Sequence, residues 1–181
     1  MFKNEAERIE EFKKLMMPCI STDRFDEKFI DTLKHSDFFK APASIRYHGN
    51  YEGGLFEHSF MVAVQLVRLT NDLGLQWQHP TSPLIVGMFH DLCKIDEYME
   101  IQEGVWDYKK NKMMPGHGEK SVMLLQQHIP ITKEELSCIR WHMGAFDDKE
   151  NWNYYGAAIE NHPNVLFTHT ADMIASRIKG I

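Results

Sequence analysis

Apolar residues recur along this chain at helical spacing, and almost nowhere in the strict alternation of a half-buried strand. Over residues 5–17, Ile9, Phe12 and Met16 fall on one side of a helix. Phe25, Phe29 and Leu33 repeat every fourth position after a cap within Ser21 to Asp23, which predicts a second amphipathic helix. Residues 41–54, with Pro42, Gly49, Gly53 and Gly54, are too rich in glycine for helix and read as a loop. Leu55, Val62, Leu66, Leu69 and Leu73 predict a long helix that Gly74 stops. Ser82-Pro83 reads as a cap followed by proline at the first helical position. The helix that follows, through Leu84, Met88, Leu92 and Ile95, is apolar almost all round and therefore central.

Tyr98 to Lys109 alternates loosely about Glu103-Gly104, which predicts a short hairpin. Gly116-His117-Gly118 opens a helix over 117–128, and Thr132-Lys133-Glu134-Glu135 is a capping box that starts another running towards Met143. A last helix spans roughly Asn164 to Arg177. The fold class is all-α with a small β-hairpin. No repeat, low-complexity tract or linker divides the chain, so its 181 residues are expected to form one domain, with packing helices in 1–44.

Composition narrows the setting. Cys19, Cys93 and Cys138 are odd in number, far apart and without CxxC spacing, which reads as reduced thiols in a cytoplasmic protein. None sits in a recognisable Cys/His arrangement, so nucleophilic cysteine chemistry fits poorly. The first residues carry no apolar stretch of the secretory type. The longest apolar runs are broken by His58, Gln65, Gly87 and His90, which excludes a membrane span. Net charge is −6 with 20 basic against 26 acidic residues. Lys109-Lys110-Asn111-Lys112 is the one basic cluster, and it reads as a solvated loop. Long nucleic acid is therefore an unfavourable partner, because its affinity comes from many Lys/Arg–phosphate contacts. An acidic protein can still attract phosphate where bound cations dominate the local field, which favours a small phosphorylated substrate.

The candidate chemistry lies in His58, the pair His90-Asp91, His117, His142 and Asp172. They are spaced by 32 residues from His58 to His90, 26 from Asp91 to His117, 25 to His142 and 30 to Asp172. Such spacing suggests one ligand or pair from each of several successive helices. Mixed imidazole and carboxylate suits divalent transition metals, and the set is rich enough for two ions. A lone histidine on a helix is more often a core or surface residue than a ligand. With ten histidines in the chain, His35, His79, His128 and His162 read as such.

The sequences around the six agree with that pattern. The stretches from Tyr47 to Ser59 (YHGNYEGGLFEHS), Phe89-His90-Asp91-Leu92-Cys93-Lys94-Ile95, Gly116-His117-Gly118, Trp141-His142-Met143-Gly144 and His169-Thr170-Ala171-Asp172 resemble the HD-domain metal-dependent phosphohydrolase superfamily. The likeness covers roughly residues 45–178 and is closest to the branch with ligand order H…HD…H…H…D, which includes the HD domain of bacterial 3′-5′ exoribonucleases. Two positions depart from it: Cys93 where the family often has glycine, and Met143 where that branch often has a second histidine.

The resemblance implies an HD-type helical bundle and a metal-dependent phosphohydrolase, a phosphomonoesterase or phosphodiesterase, acting through metal-activated water. One ion would be held by His58, His90, Asp91 and Asp172. With two ions, Asp91 bridges, since a carboxylate has two oxygens to share, and His117 and His142 complete the second position. Mn, Fe, Co or Ni are the expected ions, ahead of Zn or Mg. His90 and Asp91 on one helix stand about 100° apart and flank an ion beside it. Lys94, one turn after His90, is the expected contact to a substrate phosphate, with a solvated helix-end lysine as the alternative. His48 and Tyr51 either overhang the site or belong to a structural loop. Glu57 is a weaker candidate for proton transfer. His169, three residues before Asp172, either orients it or packs. The expected substrate is nucleotide-like, and the chain is compatible with a homo-oligomer. A 3′-5′ exonuclease or phosphodiesterase on short single strands is one alternative, although residues 1–44 are too short and acidic for a nucleic-acid-binding domain. A non-catalytic nucleotide-binding regulatory module is the other.

Overall fold

A computed structural model describes residues 2–110 and 116–181. Asn111 and Lys112 of the basic cluster lie outside the described residues. Among those residues the fold is eight α-helices and one antiparallel hairpin. The helices are α1 (Glu5–Ile20), α2 (Glu27–His35), α3 (Gly54–Leu73), α4 (Ser82–Phe89), α5 (His117–Gln126), α6 (Lys133–Arg140), α7 (Trp152–Asn161) and α8 (Asn164–Met173). The hairpin pairs β1 (Tyr98–Gln102) with β2 (Val105–Tyr108), Tyr98 opposite Tyr108. No helix of the described residues is long and apolar enough to cross a membrane.

Local signals set most of these boundaries. Asn4 caps α1 by accepting from the Glu7 amide, and Glu5 and Glu7 place negative charge at its N-terminus. The cap of α2 is Asp26, whose side chain accepts from the Phe29 amide. The Ser21–Asp23 cap is therefore not the one used: Ser21 and Asp23 still bond back to the end of α1. Gly74 ends α3 in the left-handed region that favours glycine. Both halves of the capping box at Thr132 and Glu135 are formed on α6. The first helical residue of α4 is Ser82, with Thr81 at the cap, so Pro83 falls at the second position.

Two features depart from the sequence pattern. The apolar periodicity runs on past Leu92, but α4 stops at Phe89. Asp91 takes φ −107°, ψ 22°, and residues 92–96 form a tighter 3₁₀ segment. The regular 100° offset between His90 and Asp91 consequently does not apply. The second feature is α7, none of whose residues is fully buried, although Tyr155, Ala158 and Ile159 lay a narrow half-buried stripe against the core. Beyond α8 the chain continues from Ile174 to Lys179 in a π-type helix.

The core surrounds α4, all eight of whose residues are buried. The Phe89 ring lies 5.4–6.3 Å from those of Phe12, Phe25, Phe29 and Phe38, drawn from α1, α2 and the turns on either side of α2. Burying one such side chain is worth about 1.5–3 kcal/mol, and this cluster anchors the residue directly before His90. On the opposite side α4 meets α3 at Gly87, where an added Cβ would lie 2.4 Å from the Ala63 Cα. Backbone-to-backbone approach of this kind brings His58 on α3 within reach of His90. A buried ion pair ties in α6: Arg24 Nη2 donates to both oxygens of Glu135 at 2.8 Å, and Ser82 Oγ donates to the same carboxylate. The first two helices are thus packing elements.

Candidate metal centre

Five elements deliver the candidate residues. His58 lies in the second turn of α3, His90 at the C-terminal cap of α4, and Asp91 in the break that follows. His117 is the first residue of α5, His142 lies two residues beyond α6, and Asp172 is near the end of α8. His58 Nε2 and His90 Nε2 are 3.2 Å apart, and His58 Nε2 is 3.3 Å from Asp172 Oδ1. Asp91 Oδ2 is 3.6 Å from His90 Nε2 and 3.8 Å from His58 Nε2, while Asp91 Oδ1 is 3.4 Å from His142 Nε2. His58, His90, His142 and Asp91 are buried.

Each of the three buried imidazoles is held from behind. Nδ1 of His58 meets the main-chain oxygen of Ile181 at 2.9 Å, that of His90 meets Gly87 O at 2.8 Å, and that of His142 meets Ile139 O at 2.7 Å. A carbonyl oxygen only accepts, so every Nδ1 carries the proton and every Nε2 of a neutral ring turns a lone pair inward. Burial pushes the His90 imidazole down to about 4, which keeps it neutral at physiological pH. His142 Nε2 is buried without a hydrogen-bond partner among the described residues. Lone pairs converging with two carboxylates in a buried space repel one another unless a cation joins them. Two nitrogens about 2.0–2.1 Å from a shared transition metal stand roughly 3.0–3.4 Å apart, and the His58–His90 separation fits. The donor set therefore suits a divalent transition metal. Three groups of side chains bring ligand atoms within 4.8 Å of one another: His58, His90 and Asp172; His90, Asp91 and His142; and Asp91, Cys93 and His117.

Charge is balanced locally. Burial alone would raise the Asp91 carboxyl, but the Lys94 ammonium and the facing His90 and His142 rings hold it well below the usual carboxylate range. Lys94 Nζ lies 2.6 Å from Asp91 Oδ2. Lys94 is itself buried, which rules out the solvated helix-end lysine. For His142, burial pulls the imidazole down, but the Asp91 carboxylate, with Oδ1 3.4 Å from Nε2, outweighs it and leaves it above its ordinary value.

The supporting residues divide. The His48 ring packs tilted against His58 at 4.8 Å, and burial, then His58, pushes it down to about 4. Tyr51 turns away and donates its hydroxyl to Glu57 Oε2 at 3.0 Å. Glu57 is buried and also accepts from the Phe2 amide at 2.8 Å, so it clasps the N-terminal segment onto α3. His169 donates to the main-chain oxygen of His142 at 2.8 Å and so braces that histidine's backbone, where the sequence pairs it with Asp172. Its ring lies so close to Gly144 that an added Cβ would be 2.7 Å from its Nδ1. Gly144, at φ +57°, is required there twice over.

A cavity of about 450 Å³ opens over these groups. Asp91, Lys94, His117, His142 and Asp172 reach it, and Tyr47, Tyr98, Tyr108, Phe146 and Arg177 form its sides. Trp106 does not line it and packs against the core. Asp172, Met173, Ser176 and Arg177 all line the cavity; Arg177 is five residues after Asp172 and comes to the same side through the π-type helix from Ile174, which the spacing alone does not give. Cys93 was likewise hidden. The break at Asp91 turns its Sγ to within 3.5 Å of His117 Nδ1, a Cys/His contact that the spacing of the thiols does not suggest. Burial pushes the Cys93 thiol up to about 12, which disfavours it as a free thiolate nucleophile.

The model of the HD domain family matches residues 55–175. This chain belongs to the HD domain family. The match starts at the helix of His58 and ends just past Asp172, so every candidate ligand falls within it. No curated protein and no solved structure matches the chain. HD-family membership and the clusters of potential ligands together support a catalytic, metal-dependent hydrolase.

Proposed function

We propose that this HD domain is a metal-dependent phosphohydrolase for a small, nucleotide-like phosphoester. The observation that carries the reading is the convergence of three imidazole Nε2 atoms, each ring held from behind by a main-chain oxygen, with two carboxylates beneath one cavity. His58, His90, Asp91 and Asp172 would hold a divalent ion, with His142 beside Asp91. A bound ion of this class acidifies a water ligand and polarises a phosphoryl oxygen.

The remaining residues act around that centre. Lys94 locks the Asp91 carboxylate by its 2.6 Å contact and presents a buried positive charge to the cavity, where it would neutralise a phosphate oxygen. Arg177 supplies a second cation at the side, and Tyr47, Tyr108 and Phe146 offer faces for a planar base. A volume of about 450 Å³ lies within the usual range for small-molecule sites and accommodates a mononucleotide better than a polymer. The acidic balance of the chain points the same way.

The test is hydrolysis by Mn- or Co-loaded protein of nucleoside monophosphates, cyclic dinucleotides and labelled oligonucleotides at low and moderate salt. We expect turnover of a mono- or dinucleotide that Asp91→Asn abolishes and Lys94→Met reduces. Stepwise shortening of oligonucleotides without turnover of mononucleotides would favour the exonuclease. Nucleotide binding without hydrolysis in metal-loaded protein would favour the regulatory module.

A further inference from the structure

We infer that Cys93 is a metal ligand, which with Asp91 and His117 holds a second ion beside the one proposed above. The inference rests on that reading for the first ion. It departs from the expectation drawn from the sequence in making a thiolate, rather than His142, the partner of His117.

Three observations carry it. The backbone leaves the helix at Asp91, and the 3₁₀ segment after it places Cys93 on the side of α5. The Cys93 amide donates to Ser121 Oγ at 3.1 Å, one helical turn beyond His117, and this bond fixes the segment against α5. Cys93 Sγ then stands 3.5 Å from His117 Nδ1, and both share a space with an Asp91 oxygen. Bonds of about 2.3 Å to sulfur and 2.0–2.1 Å to nitrogen at a tetrahedral angle place the two ligand atoms roughly 3.6 Å apart. The observed separation therefore needs no movement of either element.

The surroundings suit a cation. Glu97 Oε2 lies 3.5 Å from the same His117 nitrogen, so the corner carries carboxylates on two sides. His117 is half-exposed and lines the cavity with Asp91, giving an ion a path from solvent. His142 is committed elsewhere, since its Nε2 points at Asp91 Oδ1 and groups with His90. Binding forms a metal–sulfur bond as the thiol proton leaves to solvent. A soft sulfur donor selects Zn, Co or Fe and excludes Mg and Ca. The centre would thus be asymmetric, with one position of imidazole and carboxylate and another that contains sulfur.

Cobalt(II) titration of the whole metal-stripped protein tests this, read by absorption as well as by stoichiometry. We expect the first equivalent to bind without a thiolate-to-cobalt charge-transfer band and the second to bring that band in. Cys93→Ser should abolish the band and lose the second equivalent while retaining the first. His117→Ala should lose the second equivalent as well, which provides a second readout if the cysteine variant does not fold. One bound cobalt without a band, or two without one, overturns the sulfur ligand and leaves the proposed phosphohydrolase centre standing. Failure to bind any cobalt overturns both. A band that survives in folded Cys93→Ser assigns it to another thiol and also defeats the inference.

Discussion

The Nε2 atoms of His58 and His90 face each other across 3.2 Å, and each ring donates its Nδ1–H to a main-chain oxygen. With both Nδ1 atoms protonated, the two lone pairs repel, and a divalent cation between them removes the repulsion. Metal binding should therefore stabilise the fold as well as support catalysis. At a free metal concentration of about 100 times Kd the gain is about 2.7 kcal/mol. For a chain of this size that corresponds to roughly 5–11 °C in melting temperature. Thermal melts of chelator-treated protein, with and without Mn, Co or Zn, measure it. Absence of a shift with every transition metal would contradict the centre.

Removal of the metal should also expose an acid sensitivity. Burial holds His90 at about 4 in the folded metal-free protein, against an ordinary 6.5, and His48 is held at about 4 in the same way. Between those limits the unfolded chain binds more protons, so stability falls as the pH falls. The depressed Asp91 acts in the same direction at lower pH, its contribution being lost as pH drops from the ordinary carboxylate value towards the folded one. His142 acts oppositely, because its raised folded pKa contributes stability on the acid side that fades as the pH rises. Two imidazoles and Asp91 lower stability on acidification against one imidazole that raises it, so a net fall is expected. Melting temperature of the stripped protein should decline from about pH 7 to about pH 4.5, and less steeply in His90→Asn. A rise on acidification would show that His142 dominates.

Much of this arrangement was legible because its signals are local. Gly74 stops α3, Thr132 and Glu135 close a capping box, and Glu103-Gly104 turns the hairpin, each within a few residues of the feature that it determines. The break at Asp91 was illegible because Leu92 and Cys93 are buried like a continuing helix, so the pattern is silent about the backbone. That one break decides the orientation of Cys93 and Lys94. The partner of His169 was hidden too, since spacing reports neighbours along a helix and not a carbonyl that arrives from another segment. His58, His90, His142 and Asp172 were legible as a set through their motifs, but their common meeting point is a tertiary fact.

The Arg24–Glu135 pair should be costly to break and cheap to neutralise. Both side chains are buried, and Glu135 also accepts from Ser82 Oγ and the Thr132 amide. Arg24→Met leaves an uncompensated carboxylate in the core and should cost about 3–5 kcal/mol. Adding Glu135→Gln removes the charge and keeps an oxygen for the cap, so the double variant should be more stable than Arg24→Met alone. Urea unfolding of the three proteins reads the difference. Equal stability of the single and double variants would mean that solvent reaches the carboxylate.

Gly87 has two duties in holding the centre, and a single methyl should disturb both. Its Cα packs against α3 so tightly that a Cβ would meet the Ala63 Cα at 2.4 Å and the Ala63 N at 2.6 Å. Its carbonyl accepts the Nδ1 proton of His90 at 2.8 Å. Gly87→Ala must push α4 away from α3, which costs about 1–3 kcal/mol as overpacking and widens the His58–His90 gap. Lower melting temperature and weaker metal binding should appear together. Ala63→Gly should not rescue the variant, because the nearest atoms are backbone that glycine also has. Changes at the exposed α7 residues Tyr154 and Glu160 serve as the control and should alter neither property. Recovery of metal affinity in the Ala63→Gly, Gly87→Ala pair would show that the clash is one of side chains and that the helices are free to shift.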